Sequence, residues 1–325
     1  MTSRYEYIDR LKGLAILLVV MGHLMAFSLI ASRNPIFTVI SSFHMPLFMF
    51  LSGLVVSNPF AGGGAMLRKC MKLLFPFLFV GLLFNMVLED SFLSFWRDGY
   101  KKGYWYLLVL AIYYFCLAPC TLWSRQKHSV LFDLLYGITV FFLFKIALFF
   151  FATSMKDYLS LSLCANLWIY FYGSHILRKY DMIPLLMEKK WVYTLCFCAY
   201  IPLLLLYDNG VIVRFGQSVA IAAIVSLLFL FRKREDNRTL LEKGLSYLGR
   251  HTLDIYIYHY FFLRIIHLDA LGKWFINTHN YLLEIALLIL LALAVSVACV
   301  LLGMIIRQSE ALRLLVYGQI PDKTN

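Results

Sequence analysis

Ten predominantly apolar stretches, at 11–31, 36–58, 71–89, 104–123, 130–152, 157–176, 190–207, 211–231, 247–268 and 281–306, divide this chain of 325 residues. A helix needs about 20 apolar residues to cross the hydrocarbon core of a bilayer. No water is available there to satisfy backbone polar groups, so only helices and closed barrels can span it. Runs of this length select helices. The expected fold is all-α, a polytopic membrane bundle of about ten transmembrane helices. Lys156 and Asp157 break the fifth and sixth stretches softly, and the ninth is the most polar, holding Asp254, His259 and Arg264. Composition agrees with this reading. The chain is 62% hydrophobic and 15% charged, whereas a soluble domain is about 25% charged. That excludes a disordered chain, a nucleic-acid module and an ordinary cytosolic enzyme.

The net charge of +12 then needs a location. Ten spans put both termini on one side. Twenty of the thirty Lys and Arg residues fall on that same side, in groups that include Arg10 and Lys12, Arg68, Lys69 and Lys72, Arg178 and Lys179, and Arg232 to Lys243. The opposite face receives six: Arg33, Arg97, Lys101, Lys102, Lys156 and Lys273. By the positive-inside rule the richer face is cytoplasmic, and so are both termini. The first apolar stretch is too long for the core of a cleavable signal. The seven cysteines form neither a disulfide framework nor a zinc spacing. Segment 91–103, DSFLSFWRDGYKK, suits the outer interface, where aromatic side chains sit among headgroups.

Ionisable groups at membrane depth are costly and mark function by default. Counting about 1.5 Å per residue, His23 lies roughly 18 Å along the first span from the cytoplasm. His44 lies roughly 12 Å down the second span from outside, and His259 roughly 18 Å up the ninth, by the same rise. In a core of about 30 Å the three imidazoles share one level. Imidazole moves protons near neutral pH. A packing histidine satisfied by a neighbour is the competing reading of each. A metal site is not expected, because no carboxylate or cysteine lies at that depth on these spans. Lys12 precedes His23 by eleven positions, close to three helical turns, so the two share a face. That spacing suits a channel entered from the cytoplasm by an anion, with a base further in and Asp9 and Arg10 flanking the mouth. Arg68 and Lys72, at i and i+4, point the same way. They suit phosphates, and equally a topology anchor or anionic lipid headgroups. In FHMPLFMFLSGL, at 43–54, Pro46 interrupts the backbone ladder and Ser52-Gly53 permits close helix approach. A cavity wall and a simple kink both fit.

Five segments in order resemble acyltransferase family 3: YIDRLKGLAILLVVMGH (7–23), FHMPLFMFLSG (43–53), RKCMKLLFP (68–76), WYLLVLAIYYF (105–115) and LGRHTLDIYIYHYFF (248–262). Residues 125–245 match only in hydropathy. The resemblance implies a single integral-membrane acyltransferase domain over 1–325, of the branch without an attached extracytoplasmic domain. It implies transfer of acetyl from cytoplasmic acetyl-CoA to a hydroxyl of a bacterial cell-surface glycan or its lipid-linked precursor, at the cytoplasmic (inner) membrane. On the family's pattern His23 is the catalytic base, and Lys12 stands where the family often has Arg. Lys keeps the charge and loses the bidentate fork. Arg68 and Lys72 correspond to contacts with the CoA phosphates. Trp105 and Tyr106 resemble the family's aromatic start of the fourth span, in packing or acceptor contact. Substrate-contact or oxyanion roles are open to His44, Ser52, Tyr256 and His259. The expected partners are acetyl-CoA, the saccharide acceptor and membrane lipids, with no nucleic acid and no permanently bound cofactor. Mid-membrane histidines and a broken second helix also suit a rival class, a proton-coupled transporter or flippase of a glycan or organic acid.

Overall fold

The computed structural model describes residues 6–29, 34–56, 63–88, 90–123, 129–208, 216–232 and 239–319. The basic residues Arg4, Arg33, Arg125, Lys127, Lys233, Arg234, Arg238 and Lys323 counted above lie outside them. Every regular element in the described residues is helical. In chain order these are α1 (Glu6–His23), a π-helical segment (Leu24–Ser28), α2 (Ile36–Leu54), α3 (Gly63–Val87), α4 (Phe92–Arg97), α5 (Trp105–Trp123), α6 (Val130–Phe150), α7 (Thr153–Tyr158) and α8 (Leu161–Lys179). A single 3₁₀ turn, Lys101–Gly103, precedes α5. Then follow α9 (Met182–Glu188), α10 (Lys190–Asp208), α11 (Gly216–Arg232), α12 (Leu240–Arg250), α13 (Thr252–Ile265), α14 (Asp269–Thr278), α15 (Tyr281–Ile306) and α16 (Glu310–Tyr317).

Each apolar stretch is helical in its described part, but its limits differ from expectation in three places. The sixth begins at Leu161 rather than 157, because Ser160 turns left-handed (φ 49°) and separates α7 from α8. Residues 177–189, expected as a loop, contain α9, which meets α10 at a bend of 77°. The ninth is cut at His251, leaving α13 with 14 residues, about 21 Å of rise. Among the described residues five spans are long and apolar enough to cross a bilayer alone: Glu6–Ser28, Ile36–Leu54, Arg68–Val87, Val130–Phe150 and Tyr281–Ile306. The bent α9–α10 pair makes up to six. The expected break in the second span is absent, because α2 runs continuously through Pro46.

Large apolar side chains cover the outside of these helices. Phe149 and Phe150 on α6 and Leu282 and Leu290 on α15 are 82%, 74%, 82% and 69% exposed. In water such a surface would aggregate. Against lipid tails it is the expected exterior, and it identifies a membrane protein.

The chain divides into two compact units, 1–51 with 181–302, and 52–180 with 303–325. In the first unit α1 packs on α12 through two glycines. A Cβ on Gly13 would lie 2.0 Å from the Leu245 carbonyl oxygen, and one on Gly249 would lie 1.8 Å from that of Asp9. The pairing steps four residues back on α1 as it steps four forward on α12, so the helices are antiparallel. A capping box starts α12, with the Thr239 hydroxyl accepting from the Glu242 N–H and the Glu242 carboxylate accepting from the Thr239 N–H. In the second unit α6 and α8 interlock. Trp168 Nε1 donates to the Gly137 carbonyl at 3.0 Å, and buried Asp133 accepts from Lys179 Nζ at 2.5 Å and the Tyr180 hydroxyl at 2.6 Å. Gly53 touches α8 backbone, as its Ser-Gly context predicts, since a Cβ there would lie 2.0 Å from the Phe171 carbonyl oxygen.

Candidate active site

The functional groups of the first unit gather where α1 passes into the π-helical segment. An unbroken α1 from Glu6 to His23 keeps the eleven-residue spacing from Lys12 on one face, a rise of about 16 Å. The half-buried His23 closes α1, and the ladder widens to the π pattern at the next residue. Such wide turns occur mostly at functional sites. Helix α13 supplies the other side. Tyr260 Oη lies 2.9 Å from His23 Nε2, and the rings of His23 and His259 stack with centroids 5.3 Å apart. Phe27, from the π segment, stacks on the far side of His23 at 5.7 Å. The Leu268 N–H donates to the Ser28 carbonyl at 3.0 Å, tying the end of the π segment to the chain that leaves α13.

The structure therefore brings two of the three expected histidines into ring contact. His44 lies within electrostatic range of His23, and its Nδ1 donates to the Ile40 carbonyl at 2.7 Å. The start of α2 meets the end of α1 where a Cβ on Gly22 would sit 3.5 Å from Ile40 Cγ2. His259 is fully buried, and its Nδ1 faces two carbonyl oxygens, Ile255 at 3.0 Å and Tyr256 at 2.8 Å. Tyr256, expected as an oxyanion donor, is buried with its ring 6.1 Å from that of His259. The tyrosine that reaches His23 is Tyr260, one helical turn further on. The sequence carried a signal for it, since Tyr256 and Tyr260 are i and i+4 on one face.

Asp9 and Arg10 do not line an open mouth. Arg10 is buried, pairs with Glu242 at 3.0 Å and donates to the Phe231 carbonyl at 3.1 Å. Asp9 faces Arg250 at 3.8 Å. These residues bind α1 to α12 and the end of α11. Lys12, half-buried one turn from Asp9, remains the basic group on the His23 face.

The other expected residues lie in the second unit. Arg68 and Lys72 are exposed near the start of α3, and Lys69 sits 5.8 Å from the centre of the Tyr114 ring. Helix α16 packs beside them. Gly318, left-handed at φ 59°, closes α16 so tightly that a Cβ would lie 2.8 Å from the Met71 carbonyl oxygen. Ser52 Oγ is 2.6 Å from the Tyr106 hydroxyl, and both residues are buried. That contact gives Tyr106 a hydrogen-bond partner within its own unit and places Trp105 beside it in edge-to-face contact. No group of three or more His, Cys, Asp or Glu side chains is arranged to hold a metal among the described residues.

A helical membrane chain with a buried histidine pair and a tyrosine partner is equipped for proton transfer away from bulk water. The profile of acyltransferase family 3, described as an acyltransferase domain, matches residues 5–301. The chain belongs to that family, and it is a membrane acyltransferase. No curated protein and no solved structure matches it.

Proposed function

We propose that this acyltransferase moves acetyl from cytoplasmic acetyl-CoA to a hydroxyl of a bacterial surface glycan or its lipid-linked precursor. In this reading about ten helices span the cytoplasmic membrane and both termini face the cytoplasm. The observation that carries it is the contact of His23 with Tyr260 and His259 at the C-terminal end of α1, inside an acyltransferase family domain.

The anionic end of the donor is drawn to Lys12, and the pantetheine arm runs along α1. The rise of about 16 Å from Lys12 to His23 is comparable with that arm when extended. His23 takes the proton of the acceptor hydroxyl as general base. The alkoxide oxygen bonds to the thioester carbon, the C–S bond breaks, and the thiolate takes the proton back from His23. The acetyl ester and free CoA leave. Tyr260 orients the His23 ring through its hydrogen bond and stands near the carbonyl oxygen as negative charge develops there.

The test is turnover of acetyl-CoA by the purified protein with the glycan fraction of its own host. His23→Ala is expected to lower kcat by about 100-fold or more, the usual span of a lost acid–base group. Near wild-type turnover removes His23 from the mechanism. Lys12→Ala is expected mainly to raise the KM for acetyl-CoA, with Lys12→Arg close to wild type. Mass spectrometry of surface glycans with and without the gene fixes the acceptor. The gain of one acetyl supports transfer, and loss of a whole sugar unit argues for the transporter.

A further inference from the structure

The tautomer of neutral His259 is fixed by its own helix. Two carbonyl oxygens, of Ile255 and Tyr256, face Nδ1 at 3.0 and 2.8 Å. A carbonyl only accepts, so Nδ1 carries the hydrogen, and the other tautomer would set a lone pair against both oxygens. The neutral ring therefore presents Nε2 as a bare acceptor. The residue is fully buried, and no group among the described residues hydrogen-bonds Nε2. The neighbouring hydroxyl of Tyr260 is directed to His23 instead. Buried polar atoms are rarely left unsatisfied, and each exception needs a reason. Here the exception stacks 5.3 Å from the residue assigned as base.

We propose that His259 Nε2 binds the acyl donor by accepting a hydrogen bond from the cysteamine amide N–H of its pantetheine arm. This rests on the assignment of acetyl-CoA as donor and His23 as base. The amide N–H is donor-only at its nitrogen and is complementary to an acceptor-only nitrogen. Two methylenes separate it from the thioester sulfur, about 4 Å in extended geometry. A thioester held beside His23 thus carries its own N–H about one ring spacing further along, where His259 stands. A water-excluded amide N–H must find an acceptor to avoid a desolvation penalty. His259 consequently fixes the depth at which the thioester stops, making it a donor-positioning residue rather than a second base.

The test is a binding cycle on the full-length protein in nanodiscs, by calorimetry and without any acceptor sugar. The probes are acetyl-CoA and an acetyl-CoA analogue whose cysteamine amide is an ester and so lacks the N–H. Wild type is expected to bind the analogue about tenfold more weakly, the worth of one hydrogen bond at a buried site. His259→Leu is expected to bind acetyl-CoA about tenfold more weakly and to lose the discrimination between the probes. His259→Gln, whose amide oxygen replaces Nε2 as an acceptor, is expected to restore most of it. Equal binding of both probes by wild type, or full discrimination by His259→Leu, overturns the proposal. A wild type that binds no acetyl-CoA overturns the donor assignment itself. On wild type alone, ¹⁵N-histidine spectra are expected to show an unprotonated Nε2 at His259 that shifts with acetyl-CoA and not with the ester. A protonated Nε2 in the resting protein also overturns the proposal.

Discussion

At the residue scale the site depends on one hydroxyl and two imidazoles held by backbone geometry. Tyr260→Phe removes the partner of His23 Nε2 and keeps the ring. It is expected to lower kcat by about 10- to 100-fold, in the range of a lost polar catalytic contact, with the KM for acetyl-CoA little changed. Steady-state kinetics in detergent or nanodiscs measures both constants. A second residue-scale prediction concerns Lys101, outside the spans. It and Lys102 adopt left-handed conformations, φ 51° and 52°, which are unusual away from glycine. Lys101 is fully buried, and Nζ donates to the carbonyls of Trp96, Asp98 and Asp157 at 3.1, 2.6 and 2.5 Å. Burial lowers its pKa from 10.5 to about 8, against the opposing pull of Asp98 and Asp157. Above pH 8 the folded form gives up a proton that the unfolded chain keeps until near 10.5. The unfolded state then binds more protons, and stability rises with pH across that window. Thermal melts from pH 7.5 to 10 are expected to show this rise in wild type and not in Lys101→Met. An identical pH slope in both proteins would refute it. Of these residues, the three histidines were legible in the sequence, because an ionisable side chain in an apolar run stands out. The sequence offered Tyr260 only as one of three tyrosines lying with His259 in five positions of α13, and only the packing of α13 on α1 selects one of them.

At the element scale the antiparallel α1–α12 pair holds the helix that carries His23. Gly13→Ala puts a methyl group 2.0 Å from a backbone oxygen, which no rotamer can relieve. Forcing the helices apart is expected to cost about 1–3 kcal/mol, as overpacking does, and to lower the melting temperature. Gly244→Ala is the matched control, since nothing lies within 4 Å of its Cβ position. The Arg10–Glu242 pair belongs to the same interface. Glu242→Ala breaks the Arg10–Glu242 pair and removes half of the capping box. The first loss alone is expected to cost about 3–5 kcal/mol, read as lost yield of folded protein. Helix α12 was legible in principle, through Thr-x-x-Glu ahead of an amphipathic run. It was absorbed into a loop and the ninth span because hydropathy averages over a helix that is apolar on one face only.

At the scale of the whole molecule, the division of basic residues makes a prediction about the bilayer. Fluorescent-protein fusions at either terminus are expected to fluoresce in intact cells, and an exported phosphatase fused at the same points is expected to be inactive. The reverse pattern would place the basic face outside. Helical class and membrane character were legible from the apolar runs, since a bilayer imposes length and composition on any segment that crosses it. The number of crossings was less so. Among the described residues Trp105–Pro119 and Gly216–Arg232 are apolar but short of a full span, α13 has only 14 residues, and α9–α10 is long enough only as a pair bent by 77°.

The sequence by itself determined the membrane environment of this protein, its helical class and the uneven division of its basic residues along the chain. Those properties follow from local composition. The tertiary structure alone decided which partners His23 meets. It assigned Tyr260 to His23, gave His259 a bare acceptor, and took Asp9 and Arg10 from the channel mouth into a helix interface. The first and last of those outcomes turn on contacts between residues more than 200 positions apart, set by helices packed backbone to backbone through two glycines, and the second on two carbonyls of the helix that carries His259.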